Sequence, residues 1–208
     1  MNDFAAQLPH TIDTLAEQGW VVLDDFLTEQ EVAALLAEGQ GRQAAGEFHQ
    51  ARVGRAEGRS VRTAVRGDNV RWLDPAQRSA ASQCYWQRME ALQAELNRSL
   101  FLGIQSGEFH FAHYPVATFY KRHLDRFRDD DARVISVVCY LNDDWQTSHG
   151  GQLRLWLDEN DSLDIDPRGG RLVLFLSDRF WHEVLPAQRE RWSLTGWLRR
   201  SSGIPSSS

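Results

Sequence analysis

Cysteine is scarce: Cys84 and Cys139 are the only two in 208 residues. They lie far apart, in segments that read as helix and strand, so no disulfide framework is encoded and a reducing cytoplasm is the expected compartment. Lysine is scarcer still, because Lys121 is the one exception among 23 basic residues that are otherwise all arginine. No stretch approaches the roughly 18 consecutive apolar residues of a membrane span. The start, MNDFAAQLPH, lacks a basic region followed by an apolar one, so neither secretion nor membrane insertion is expected. There is no glycine-rich phosphate loop, no nucleophile elbow, no C-x-x-C and no repeat of 20 to 50 residues. Basic residues are outnumbered by 29 acidic ones, giving a net charge of −6 that disfavours broad binding to a phosphate backbone. A nucleic-acid partner is therefore not expected, nor is a membrane.

What is present is an ordinary globular composition, 42% hydrophobic and 25% charged, long enough to bury a core without disulfide or metal staples. We expect a single domain over residues 1–200, followed by a frayed, polar SSGIPSSS tail at 201–208. The chain reads as helix, a short buried strand at Gly19–Leu23, then a second helix running to about Gln40. Thr28-Glu29-Gln30-Glu31 opens that second helix with the spacing of a capping box. Residues 41–68 hold several Gly and many Arg with little apolar periodicity, and read as a long loop or a mobile hairpin. Pro75 to about Phe101 reads as a scaffold helix, with Trp86, Met89, Leu92 and Leu96 spaced by three and four.

Beyond Gly107 the texture becomes strand-like. Eight short runs are expected at Phe109–Tyr114, Thr118–Lys121, Val134–Leu141, Gln152–Leu157, Leu163–Ile165, Arg171–Leu176, Phe180–Leu185 and Trp192–Leu198. The fold class is thus α+β, a jelly roll (double-stranded β-helix) over residues 107–200, supported by a mainly helical segment with a lid loop over 1–106.

The chemistry concentrates in a few residues. His123-Leu124-Asp125 stands near the end of a strand, where residues two apart share a face, so an imidazole and a carboxylate can converge on one ion. His182, on another expected strand, supplies a third ligand. Two His and one carboxylate form the facial triad that leaves open positions at Fe(II), whereas zinc more often recruits further His or Cys. Arg191 opens Arg191-Trp192-Ser193-Leu194-Thr195-Gly196-Trp197, a strand otherwise poor in charge. Its guanidinium fork matches the far carboxylate of a dicarboxylate co-substrate; a structural ion pair is the alternative. His110 and His113, three apart on a strand, point to opposite faces and do not share a metal. His10, His49 and His149 stand in polar or turn segments and read as solvated.

Together His123, Asp125, His182 and Arg191 on a jelly roll resemble the Fe(II)- and 2-oxoglutarate-dependent dioxygenases. The resemblance narrows through His113-Tyr114-Pro115, Tyr120-Lys121-Arg122-His123-Leu124-Asp125, Tyr140-Leu141-Asn142-Asp143-Asp144-Trp145 and Gly150-Gly151-Gln152-Leu153-Arg154. It continues through Ser177-Asp178-Arg179, His182-Glu183-Val184-Leu185-Pro186-Ala187 and Arg66-Gly67-Asp68, so that about residues 19–199 resemble a bacterial homologue of the oxygen-sensing prolyl hydroxylases that act on hypoxia-inducible factor. The resemblance implies that Tyr140 and Arg191 hold the distal carboxylate of 2-oxoglutarate, with Ser193 left outside that pair. It also implies that Tyr114, Leu153, Val184, Thr195 and Trp197 line the pocket, and that Asp68 pairs with Arg133 at the base of a lid formed by residues 49–68.

The expected activity is hydroxylation of a prolyl residue in a protein, with Fe(II) as cofactor, 2-oxoglutarate and dioxygen as co-substrates, ascorbate as an accessory reductant, and succinate and carbon dioxide as products. Elongation factor Tu is the candidate protein partner that the resemblance suggests. Two rivals remain: an oxygenase of a free amino acid or small metabolite, and a catalytically silent metal-binding interaction module.

Overall fold

The structure, a computed structural model, describes residues 4–51, 64–125 and 132–201. Helix α1 (Phe4–Gln18) leads into strand β1 (Trp20–Leu23), and helix α2 (Glu29–Ala44) follows. The capping box is formed: the Thr28 hydroxyl accepts from Glu31 N, and Thr28 N donates to the Glu31 carboxylate at 2.8 Å. Strands β2 (His49–Gln50) and β3 (Asn69–Trp72) precede helix α3 (Ala80–Leu100). That helix starts later than the proline suggests. Pro75 lies in a turn built on Asp74, whose carboxylate accepts from Ala76 N at 2.9 Å, and Ser79 then caps the helix in a box with Ser82.

Eight strands follow: β4 (Ser106–Tyr114), β5 (Tyr120–His123), β6 (Arg133–Tyr140), β7 (Leu153–Trp156), β8 (Ser162–Ile165), β9 (Leu172–Leu176), β10 (Trp181–Val184) and β11 (Arg191–Arg199). They form two antiparallel sheets, ordered β1-β9-β6-β11-β4-β3-β2 and β5-β10-β7-β8. This is the expected jelly roll. Three short strands from the N-terminal half extend its major sheet, with β1 pairing β9 and β3 pairing β4. β2, inside the segment read as loop, and the four-residue β3 are short; β3 pairs because the long edge of β4 is there to receive it, and β2 then pairs with β3.

Alternation along β4 divides the core. Phe109 and Phe111 face the helices, where Phe109 meets Tyr85 and Trp86 edge-on at centroid separations of 5.3 and 5.2 Å. Ala112 and Tyr114 face the space between the sheets, with Val138, Tyr140 and Phe175. The two expectations for the lid and the tail fall largely on residues 52–63 and 202–208, which lie outside the described residues. Among the described residues, no helix is long and apolar enough to cross a membrane.

Candidate active site

Strand β5 begins two residues later than its sequence suggests, and this shift builds the site. Ala117 adopts a left-handed φ of +64°, and the Thr118 hydroxyl donates to the Pro115 carbonyl at 2.6 Å, so Pro115–Thr118 is turn rather than strand. His123 is consequently the last residue of β5 and pairs directly with His182 on β10. The two imidazoles stand 4.1 Å apart between centroids. Asp125, just past the strand, brings Oδ1 within 3.6 Å of His123 Nε2 and Oδ2 within 3.5 Å of His182 Nε2. All three ligand atoms lie within 4.8 Å of one another.

The orientation of each group is fixed from behind. His123 Nδ1 bonds the Lys121 carbonyl at 2.8 Å and His182 Nδ1 bonds the Phe180 carbonyl at 3.1 Å. With Nδ1–H donating, Nε2 carries the lone pair and faces the carboxylate. Tyr120 stacks on His123 at 3.6 Å, and the Ser136 hydroxyl donates to Asp125 Oδ2 at 2.7 Å. Burial opposes the charge on Asp125, but His182, His123 and Ser136 outweigh it and hold its carboxyl well below the usual carboxylate range. Burial, with His123 alongside, pushes His182 down to about 4, so its imidazole is neutral at physiological pH. Two imidazoles and one carboxylate, converging and held from behind, fit a divalent ion of the Fe(II) type.

The triad opens on a cavity of about 490 Å³. Tyr114, Leu153, Val184, Thr195 and Trp197 all line it. Arg191 lines it too although only 2% exposed, with Nε donating to the Gly151 carbonyl at 2.9 Å. Gly151 has φ +71°, and a Cβ there would come within 2.9 Å of Ala187 Cβ and 3.1 Å of the Trp145 ring, so only glycine lets this carbonyl reach the guanidinium. Among the described residues no carboxylate pairs with Arg191, which sets aside the structural ion pair.

Tyr140 stands one layer behind the wall, its ring centroid 5.0 Å from the Arg191 guanidinium, and among the described residues its buried hydroxyl finds no acceptor to donate to. Burial pushes that phenol up to about 12 despite the Arg191 cation, so it stays a donor. A buried cation and an orphaned phenol donor, side by side, fit the distal carboxylate of 2-oxoglutarate.

One expected pair is not made. Asp68, fully buried, is bound instead by Arg66, whose Nε donates to Oδ1 at 2.7 Å. Arg133 is used elsewhere: it donates to the Asp125 carbonyl at 3.0 Å and lies over the Trp197 ring at 3.5 Å. Arg66 is nearer because it stands two residues before Asp68 on an extended segment bridged to Tyr120, with Gly67 N donating to the Phe119 carbonyl at 3.0 Å; the approach is close, since a Cβ at Gly67 would meet Thr118 Cβ at 2.7 Å. The wall also contains Arg66, Trp72, His110 and Tyr120, which residue-level reasoning did not place there. For His110 a signal existed, because a period of two from Tyr114 puts it on the same inner face. His113, on the other face, stacks on Trp192 at 4.4 Å and takes the Gln43 amide at 2.8 Å.

A jelly roll whose cavity is lined both by a His-Asp-His triad and by a buried arginine that meets no carboxylate among the described residues defines the class of non-haem Fe(II) oxygenases that use a dicarboxylate co-substrate. Comparison with known proteins agrees. Residues 109–199 match the model of the 2OG-Fe(II) oxygenase superfamily. A prolyl-4-hydroxylase of Pseudomonas putida is 46% identical, with a TM-score of 0.85 over 94% of this chain and 100% of that one. A Trichoplax adhaerens prolyl hydroxylase, solved in complex with a peptide fragment of the hypoxia-inducible-factor oxygen degradation domain, is 28% identical with a TM-score of 0.85, covering 96% of this chain and 94% of that one. The hypoxia-inducible factor prolyl hydroxylase of Caenorhabditis elegans is 30% identical over 93% of this chain, which spans only 28% of the length of that relative. The chain belongs to the 2OG-Fe(II) oxygenase superfamily, whose cofactor is Fe(II) and whose co-substrates are 2-oxoglutarate and dioxygen.

Proposed function

We propose that this enzyme hydroxylates a prolyl residue in a protein, converting 2-oxoglutarate and dioxygen to succinate and carbon dioxide as it does so. The observation that carries this reading is the presence of the triad and the buried Arg191 on one cavity, in a chain 46% identical to a prolyl-4-hydroxylase along that enzyme's entire length. His123, Asp125 and His182 would hold the iron. Bound there, Fe(II) supplies the oxidising centre at which the two co-substrates are consumed and the substrate C–H bond is hydroxylated.

The remaining work belongs to the chain. Arg191 neutralises the distal carboxylate of 2-oxoglutarate and fixes its direction, with the Tyr140 hydroxyl donating beside it. Tyr114, Leu153, Val184, Thr195 and Trp197 wall the cavity and exclude water. Ser136 and the backbone carbonyls of Lys121 and Phe180 keep the three ligand atoms aimed at one point. Asp68 holds Arg66 at the mouth, in place of the Asp68–Arg133 pair expected there. We place the reaction in the cytoplasm, since both cysteines are free thiols, and take elongation factor Tu as the candidate substrate. Incubation with Fe(II), 2-oxoglutarate and elongation factor Tu, with ascorbate present, should add one oxygen atom to a proline located by fragment-ion spectra. Efficient oxidation of free proline with no modified protein would favour a small-metabolite oxygenase, and no coupled turnover would favour a silent binding module.

A further inference from the structure

His110 lies in mid-strand on β4, opposite Trp72 on β3 and Thr195 on β11. Its imidazole packs against the Trp72 and Trp197 rings, at centroid distances of 4.5 and 5.9 Å, and is 3% exposed. It lines the same cavity as the triad, and among the described residues its Nδ1 has no hydrogen-bond partner. Burial lowers its pKa to about 3, with the Arg66 cation assisting. It is therefore a neutral ring, offering one donor and one acceptor. Of its neighbours, the Thr195 hydroxyl already donates to the Val137 carbonyl at 3.0 Å, and Arg66 is engaged by Asp68. On the same strand His113, facing the helices, takes the Gln43 amide at Nδ1, whereas His110 Nδ1 receives no such group among the described residues. A buried polar atom without a partner is destabilising unless something that enters the cavity completes it.

A prolyl residue presents an apolar ring and no N–H of its own. The Trp72 and Trp197 rings that line the same cavity suit that ring as an apolar wall, and the hydrogen-bonding groups nearest to it in a polypeptide are main-chain carbonyls and the amide of the next residue. Resting on the prolyl hydroxylase reading, we propose that His110 is a specificity-determining residue that hydrogen-bonds the main chain beside the target proline, favouring a peptidyl substrate over a free amino acid. The residue that receives the substrate thus belongs to β4, not to the triad or to the 2-oxoglutarate end.

The test compares wild type, His110→Phe and His110→Gln on a library of synthetic peptides with one central proline, and on free L-proline, with products read by mass spectrometry. Phenylalanine keeps a ring against the tryptophans and removes the hydrogen bonds; glutamine keeps a donor and an acceptor. The loss of one hydrogen bond predicts a KM for the best peptide about tenfold higher in His110→Phe. The KM for 2-oxoglutarate should stay unchanged, and His110→Gln should recover most of the loss. His110→Met, flexible and apolar, carries the same test if the phenylalanine variant does not fold. An unchanged peptide KM in either apolar variant overturns the proposal while leaving the prolyl hydroxylase reading intact, as does a loss that glutamine does not restore. If wild type oxidises no prolyl peptide at all, the function itself is overturned and this inference falls with it.

Discussion

His123 and His182 are direct register partners across neighbouring antiparallel strands, and each donates Nδ1–H to the backbone carbonyl of the residue two positions before it. The same local bond repeated on two strands gives both rings the same tautomer and points both Nε2 atoms at Asp125. The metal site is thus prepared by backbone geometry before any ion arrives, and its weak point is the carboxylate that completes it.

Asp125→Ala should remove Fe(II)-dependent 2-oxoglutarate turnover by more than about a hundredfold, exceeding the usual effect of losing an outer-sphere partner. The circular-dichroism spectrum should not change, because the carboxylate supports no core packing. Wild-type turnover in this variant would refute the triad.

Ser136→Ala leaves all three ligands in place but removes the hydroxyl that donates to Asp125 Oδ2. Metal affinity should fall about 10- to 100-fold. Fe(II) or Mn(II) titration followed by tryptophan fluorescence measures this, and an unchanged affinity would show that Asp125 needs no such support.

Arg191→Lys keeps the charge but loses the planar fork and the Nε bond to the Gly151 carbonyl. The apparent KM for 2-oxoglutarate should rise about tenfold or more, the scale of a charge-assisted hydrogen bond. Metal affinity should be unaffected. An unchanged KM would reduce Arg191 to a structural role.

Stability should fall on acidification in a way that His110 helps to set. Its folded-state pKa is lowered to about 3 from an ordinary 6.5, so between these values the unfolded chain binds a proton that the folded chain does not. Stability from this group is therefore fully present above about pH 6.5 and is lost as pH falls towards 3, by roughly 1.4 kcal/mol per pH unit for one buried imidazole. Urea unfolding of metal-free wild type and His110→Phe between pH 7 and pH 5 measures the slope. The variant should lose stability less steeply, and parallel slopes would show that His110 is not held neutral.

Sequence alone determined what depends on neighbours along the chain. The Thr28–Glu31 box is encoded within four residues, the jelly-roll strands show themselves by alternation, and the His123–Asp125 spacing already implies a shared ion. Arg191 stood out because a charge in an aromatic strand demands a partner. Tertiary structure decided what depends on which segments meet. The Pro115–Thr118 turn delays β5 and so sets His123 opposite His182, and the bridge of Arg66 to Tyr120 on β5 leaves Asp68 with Arg66 rather than with Arg133. The β4 strand carries two histidines that look alike in sequence, yet His113 Nδ1 receives a glutamine from α2 while His110, packed against tryptophans from β3 and β11, keeps its Nδ1 open among the described residues. Local propensity cannot distinguish the two, because a hydrogen bond's value depends on whether burial removes water and whether a distant segment replaces it.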